Sequence, residues 1–270
     1  MDRLLRAFEL IDLNAPPPVN DDDLAILVAD QVLLETWNRF AELNVLPRGL
    51  QLNQLVWDDG RVWVVEFPLS VGHESAIGRI QVAFAMAFGL LTSSPGRANL
   101  TGPNGLNGGQ LTFAPDYAYL PLPMIPGAQV PLGGASLIVE FMRNQPWALV
   151  RPKLKMYRQL DGLQYIFCLK MSRAMRCWSY ELYDVANNHP AYPDDAEHHS
   201  FSISEANAPV NHQHFLHFDS KRVLGLPLDA QLPAEFPDHV VIDVVALAQH
   251  ARMTARTAGE AVAQYFNLYL

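Results

Sequence analysis

The chain has 270 residues, enough for one large domain or a domain with appendages and for a substantial buried core. Half of its residues are hydrophobic and 17% are charged, which excludes a disordered chain. The net charge of −9 argues against a general nucleic-acid coat protein.

Met1-Asp-Arg-Leu-Leu-Arg6 lacks a long apolar stretch, so no secretory leader is expected. Residues 14–23 (Asn-Ala-Pro-Pro-Pro-Val-Asn-Asp-Asp-Asp) predict a linker ending in a helix N-cap. Apolar positions at Leu27, Val28, Val32, Leu33, Trp37, Phe40 and Leu43 then predict one helix over 24–44. Gln54-Leu-Val-Trp57 and Arg61-Val-Trp-Val-Val-Glu-Phe67 flank Asp58-Asp-Gly60, the signature of a β-hairpin. Residues 75–88 are almost wholly apolar and predict a helix buried against a sheet. The Gly-, Asn-, Ser- and Pro-rich stretch 93–109 predicts a loop.

Strands are expected near 110–120 and 136–142, a helix near 152–160, and strands over 163–170 and 176–183. Stretches 186–200 and 205–213 are loop-like, and the tail predicts helices near 242–252 and 256–268. The tail helix is apolar on one side, which suits docking on the core and leaves a homodimer as an alternative. This order of elements predicts a mixed α/β domain, a sheet flanked by helices. No apolar stretch is long enough for a membrane span. The two cysteines, Cys168 and Cys177, form no CxxC pair, so neither a disulfide framework nor a zinc-thiolate site is expected. A reducing compartment follows, hence an intracellular location, cytoplasmic or nuclear.

Charge is unevenly distributed. Residues 140–180 hold eight Lys/Arg against two acids, a local +6, and the remainder of the chain carries −15. Such a patch on an acidic body suits an anionic ligand approaching one face, with Arg143, Arg151 and Lys155 as candidate nucleic-acid contacts.

Within Ser136-Leu-Ile-Val-Glu-Phe-Met142, Glu140 is the sole charged side chain. Strand alternation sets it on one face with Ile138 and Met142, and sets Leu137, Val139 and Phe141 on the other. A carboxylate in that setting is costly without solvent, a cation or hydrogen-bond donors. Lys153 shares a helix face with Tyr157 and Leu160, directed at the sheet, whereas Lys155 and Arg158 point elsewhere. Asp116 follows Pro115 at the start of the run Tyr117-Ala-Tyr-Leu120. Two carboxylates on neighbouring strands suit a hard cation such as Mg²⁺, and a nearby lysine suits a developing negative charge at a phosphodiester.

These residues and their order, from the hairpin through Gly72-His73-Glu74, the apolar helix, the Gly-rich loop, Pro115-Asp116-Tyr117, Leu137-Ile-Val-Glu140-Phe141, Lys153-Leu-Lys-Met-Tyr157 and Leu163-Gln-Tyr-Ile-Phe167, resemble the Uma-two restriction endonuclease family of the PD-(D/E)XK nuclease superfamily. The resemblance covers 50–185, with a looser echo at 237–247. It implies a restriction-endonuclease-like mixed central sheet flanked by helices. It divides the chain into an N-terminal arm and helix (1–49), a nuclease core (50–185) and a C-terminal extension packing on that core (186–270). It implies a metal-dependent endonuclease acting on DNA with Mg²⁺ or Mn²⁺. Asp116, Glu140 and the Phe141 backbone carbonyl become metal ligands, Lys153 the catalytic lysine moved onto a helix, and His73 and Glu66 accessory residues. The chain departs from the superfamily pattern at Met142, which occupies the usual E-x-K lysine position. The alternative is a catalytically degenerate binding or interaction module on the same fold.

Other patterns carry less. His198-His199 and His212-Gln-His214 lack accompanying Cys or acid spacing, so they are expected in loops and strands rather than at a metal. Gly105-Leu-Asn-Gly-Gly109 lacks the Gly-Lys-Ser/Thr of a phosphate loop, and no Gly-x-Ser-x-Gly occurs. Trp57, Trp63 and Trp178 are expected to pack the hairpin and the sheet.

Overall fold

The computed structural model describes residues 1–11, 26–43, 46–47, 50, 52–64, 71–88, 98–100, 111–113, 115–121, 135–143, 147–172, 175–185, 196–203 and 214–258. The expected linker at 14–23, Glu66, His212 and most of the expected helix over 256–268 lie outside them.

The chain opens with helix α1 (Asp2–Leu10), which buries Leu4 and Phe8. The single helix expected over 24–44 is instead strand β1 (Ile26–Ala29), a turn, and helix α2 (Leu34–Ala41). The turn is the physical reason. Gln31 takes a φ of 54°, outside helical space, and the Val32 N–H donates to the Gly60 carbonyl at 2.8 Å. Strands β2 (Leu55–Asp58) and β3 (Arg61–Val64) form the expected hairpin. Its two loop residues, Asp59 and Gly60, have φ of 43° and 82°, the left-handed pair that matches the twist of a tight hairpin. β1 pairs antiparallel with β3, giving a three-stranded sheet in the order β1-β3-β2. That pairing runs across the expected boundary between residues 49 and 50. Trp57 packs as expected, its indole N–H donating to the Val32 carbonyl at 2.9 Å.

Helix α3 (Val71–Phe88) starts four residues before the sequence pattern announced it. Within the expected loop 93–109, Ala98–Leu100 forms β4 and pairs with β5 (Leu111–Phe113), a correction that rests on backbone pairing between the two segments. Next come β6 (Tyr117–Tyr119), β7 (Leu137–Met142), α4 (Trp147–Tyr157), β8 (Tyr165–Met171), β9 (Cys177–Asp184) and β10 (His199–Ser202). Five of these strands make the central sheet, ordered β10-β9-β8-β7-β6. α4 is the crossover that allows β7 and β8 to run parallel, and the other neighbours are antiparallel. The molecule is therefore mixed α/β.

Two strands at the C-terminal end, β11 (Phe215–Asp219) and β12 (His239–Asp243), pair with each other, with the short helix α5 (Ser220–Val223) between them. The helix expected over 242–252 begins at Val244 and continues as α6 to Thr257. The Asp243 side chain caps it, accepting the Ala246 N–H at 3.0 Å.

The central sheet is covered on both faces. Leu137, Val139, Phe141, Phe167 and Leu169 face α3, the β11–β12 ribbon and α6 in one apolar core. Ile138, Met142, Ile166, Cys168 and Tyr183 face α4, α1, α2 and the three-stranded sheet in another. The alternation expected along β7 is thus realised. Arg222 ties the C-terminal part to the sheet. It donates to Asp184 Oδ2 at 2.8 Å and lies 4.4 Å over the Tyr165 ring. No helix among the described residues is long and apolar enough to cross a membrane.

Candidate functional site

β6 and β7 pair with Tyr117 opposite Val139, so one further step along the register sets Asp116 beside Glu140. The Phe141 N–H donates to Asp116 Oδ2 at 2.7 Å, which fixes the carboxylate against the β7 backbone. From α3, His73 brings Nε2 to 3.6 Å from the same oxygen, and its ring lies 5.1 Å from that of Phe141.

Glu140 is 1% exposed and points into the layer between the sheet and α4. Two residues one helical turn apart on α4 answer it. Lys153 Nζ donates to Oε2 at 2.8 Å, and the Tyr157 hydroxyl donates to Oε1 in a short hydrogen bond. Lys153 is itself 3% exposed, and its ammonium lies 5.7 Å over the Tyr157 ring. The inward direction expected for Lys153 is therefore present, as is its reach back to Glu140. Lys155 is exposed on another face of α4, and Arg158, in the turn just after it, is half-buried.

The electrostatics of the two carboxylates diverge. Burial pushes the Glu140 carboxyl up to about 7, against the pull of Lys153, and the neighbouring Asp116 charge adds to the rise. Burial also acts to raise Asp116, but there the His73 imidazole, Lys153 and the Phe141 N–H prevail and hold it below the ordinary carboxylate range. Burial and the Glu140 charge push the Tyr157 hydroxyl well up, so it stays a donor.

The same face of the sheet carries a second buried acid. In register across β7, β8 and β9 lie Glu140, Cys168 and Glu181. Glu181 is 1% exposed. Its Oε1 accepts from Arg151 Nη2 at 3.2 Å and faces His198 Nδ1 at 2.9 Å, and its Oε2 accepts from the Tyr183 hydroxyl. Arg151, expected as an outward nucleic-acid contact, is thus held in an ion pair with a 32% exposed side chain. Arg143 is half-buried. Sequence reading passed over Glu181, although the signal resembled that of Glu140: an acid between uncharged residues inside the strand, Cys177-Trp-Ser-Tyr-Glu-Leu-Tyr183, with Asp184 only at its end.

The histidines behave as strand and loop residues. His199 stacks on Tyr180 at 4.8 Å, and His214 Nδ1 lies 3.0 Å from the Tyr180 hydroxyl. Among the described residues no three His, Cys, Asp or Glu side chains gather as a metal site. Asp116 and Glu140, opposite each other in the β6–β7 register, are the hard oxygen donors that lie side by side here. No protein-family model, curated protein or solved structure matches the chain.

Proposed function

We propose that the chain is a metal-dependent nuclease of restriction-endonuclease-like fold that hydrolyses phosphodiester bonds, with DNA as its substrate. The observation that carries this reading is the convergence of Asp116, Glu140 and Lys153 from two strands and a helix, with Lys153 at 2.8 Å from Glu140. Asp116 and Glu140 are oxygen donors of the kind Mg²⁺ or Mn²⁺ takes, and Asp116 is already ionised at neutral pH. Such a cation, when bound, neutralises phosphate charge and lowers the pKa of a bound water. Lys153 supplies a positive charge beside the phosphate, and His73 orients the Asp116 carboxylate. The free thiols of Cys168 and Cys177 support an intracellular location.

The test is cleavage of plasmid and oligonucleotide DNA with Mg²⁺ or Mn²⁺. Loss of cleavage in Asp116→Ala and Glu140→Ala is expected; full activity in both variants would sink the assignment.

One observation favours a second reading, a binding module that has lost catalysis. Both Glu140 oxygens already accept from protein donors, in a residue that is 1% exposed. A calorimetric titration with Mn²⁺ that shows no binding, together with no cleavage of any nucleic acid, selects this reading.

A further inference from the structure

Glu181 is a buried acid for which the proposed chemistry has no use. It is 1% exposed, two strands away from Glu140 in direct register, about 10 Å at ordinary strand spacing. One of its oxygens is spent on two side chains that reach the surface. Arg151 is 32% exposed and His198 is 48% exposed, and both meet Oε1, at 3.2 and 2.9 Å. Trp147 completes the group. Its ring meets His198 edge-on at 5.4 Å, and the Arg151 guanidinium lies 5.9 Å over it. Trp147, Arg151 and the exposed Lys155 recur every four residues along α4, so they form a single stripe beside the one that carries Lys153 and Tyr157.

A half-exposed arginine and imidazole ordinarily sample many rotamers, and an exposed ion pair holds them weakly. Here a buried carboxylate, itself braced by Tyr183, fixes both against an aromatic ring. Were the group only structural, apolar side chains would fill the space as well, because a buried charge is weak as a source of stability. Fixing a guanidinium beside a ring orders it for the planar, charged and stackable features of a nucleotide strand.

We propose that Arg151, His198 and Trp147, held by Glu181 as a positioning residue, form a rim site for the strand flanking the scissile bond. Arg151 and the Nε2 of His198, whose Nδ1 faces Glu181, meet a backbone phosphate, Lys155 meets the next, and Trp147 offers its ring to a base. This rests on the nucleic-acid reading of the neighbouring site, but it requires no metal.

The experiment is fluorescence anisotropy of a 5′-fluorescein single-stranded oligonucleotide, in DNA and RNA versions, bound in EDTA over a series of salt concentrations. Arg151→Gln is expected to weaken binding about tenfold and to reduce the slope of log affinity against log salt by about one, as loss of one phosphate contact does. His198→Gln and Trp147→Leu are each expected to weaken binding about fivefold, and Trp147→Leu to leave the salt slope unchanged. Because Arg151→Gln and His198→Gln each remove a partner from a buried acid, their folds are checked by near-UV circular dichroism, and Trp147→Leu, which leaves both Glu181 contacts in place, is the variant that keeps the test decisive. Wild-type binding that all three variants match, with one common salt slope, overturns the rim site and leaves the nuclease reading standing. Weakened binding in the variants of a wild-type chain that cleaves nothing with Mn²⁺ supports the rim site and removes the nuclease reading. Absence of wild-type binding to either strand overturns the rim site, and the cleavage assay with Mn²⁺ then decides the nuclease reading separately.

Discussion

Lys153→Met removes the cation that faces Glu140 while keeping an unbranched side chain of similar length. Both partners are within 3% of full burial and meet at 2.8 Å, so the loss of one leaves a carboxylate among apolar neighbours. The size of the effect depends on pH in a calculable way. In the wild type Glu140 holds its proton up to about 7, against an ordinary value of 4.5. Between these two values the folded chain is protonated where the unfolded chain is not, so this group's contribution to stability falls as pH rises from 4.5 to 7 and is level above. Lys153 pulls the Glu140 value down, and its removal lifts that value further. At pH 5.5 Glu140 is neutral in both proteins and this term vanishes. At pH 8.5 the wild type has released the proton, whereas the variant keeps it to a higher pH. The 1.5-unit gap above a value of about 7 then sets a ceiling of about 2 kcal/mol on the extra destabilisation. Urea unfolding followed by tryptophan fluorescence at the two pH values measures this directly, as a difference in midpoint at constant slope. The same substitution in a Glu140→Gln background should lose its pH dependence. Equal losses at pH 5.5 and 8.5, or an unchanged effect in the Glu140→Gln background, would refute the coupling.

Tyr157→Phe leaves Glu140 Oε1 without its donor and should cost about 1–3 kcal/mol by urea unfolding, more at pH 8.5 than at 5.5 because the ionised acceptor loses more. Gly72→Ala places a methyl group inside contact distance of Met175 Cε, 3.0 Å from its Sδ and 3.4 Å from Ala255 Cβ. The flexible thioether must give way, at about 1–2 kcal/mol, and pairing the change with Met175→Ala should recover part of the loss in a double-mutant cycle. Asp243→Ala deletes the cap that receives the Ala246 N–H and should lower stability by about 1 kcal/mol, read as a fall of about 2–4 °C in thermal midpoint.

The parts of the fold that were legible in the sequence are those whose local signal and tertiary partner agree. Asp59-Gly60 takes the two left-handed conformations that its hairpin requires, and β7 alternates across two cores as its side chains dictate. Lys153 and Tyr157 sit one helical turn apart and both meet Glu140. Where the reading failed, a distant partner decided the outcome. Ile26–Ala29 has apolar side chains that also fit a helical period, and only its pairing with β3 makes it a strand. β11 and β12 each bury alternate residues, but Phe215, His217 and Val241 on the outer side blur the contrast between the faces. Glu181 escaped because its partners, Arg151 and His198, are 30 and 17 positions away along the chain, and no local spacing links them.

Glu140 is where the two functional readings divide. A carboxylate has about four lone-pair positions, and Lys153 and Tyr157 take one on each oxygen. Mg²⁺ keeps several waters when it binds to a protein carboxylate, and a residue that is 1% exposed has no space for them in this conformation. In the nuclease reading, Lys153 would have to leave Glu140 for a phosphate, and a cation held by Glu140 would replace it as the counter-charge. The raised Glu140 value sets a further condition on that exchange, because the carboxyl must lose its proton before it can hold a cation. Asp116, ionised and fastened to the Phe141 N–H, would be the ligand that stays in place meanwhile. A binding module needs none of this motion, and for it the Glu140–Lys153–Tyr157 contact is only the tie between α4 and the sheet.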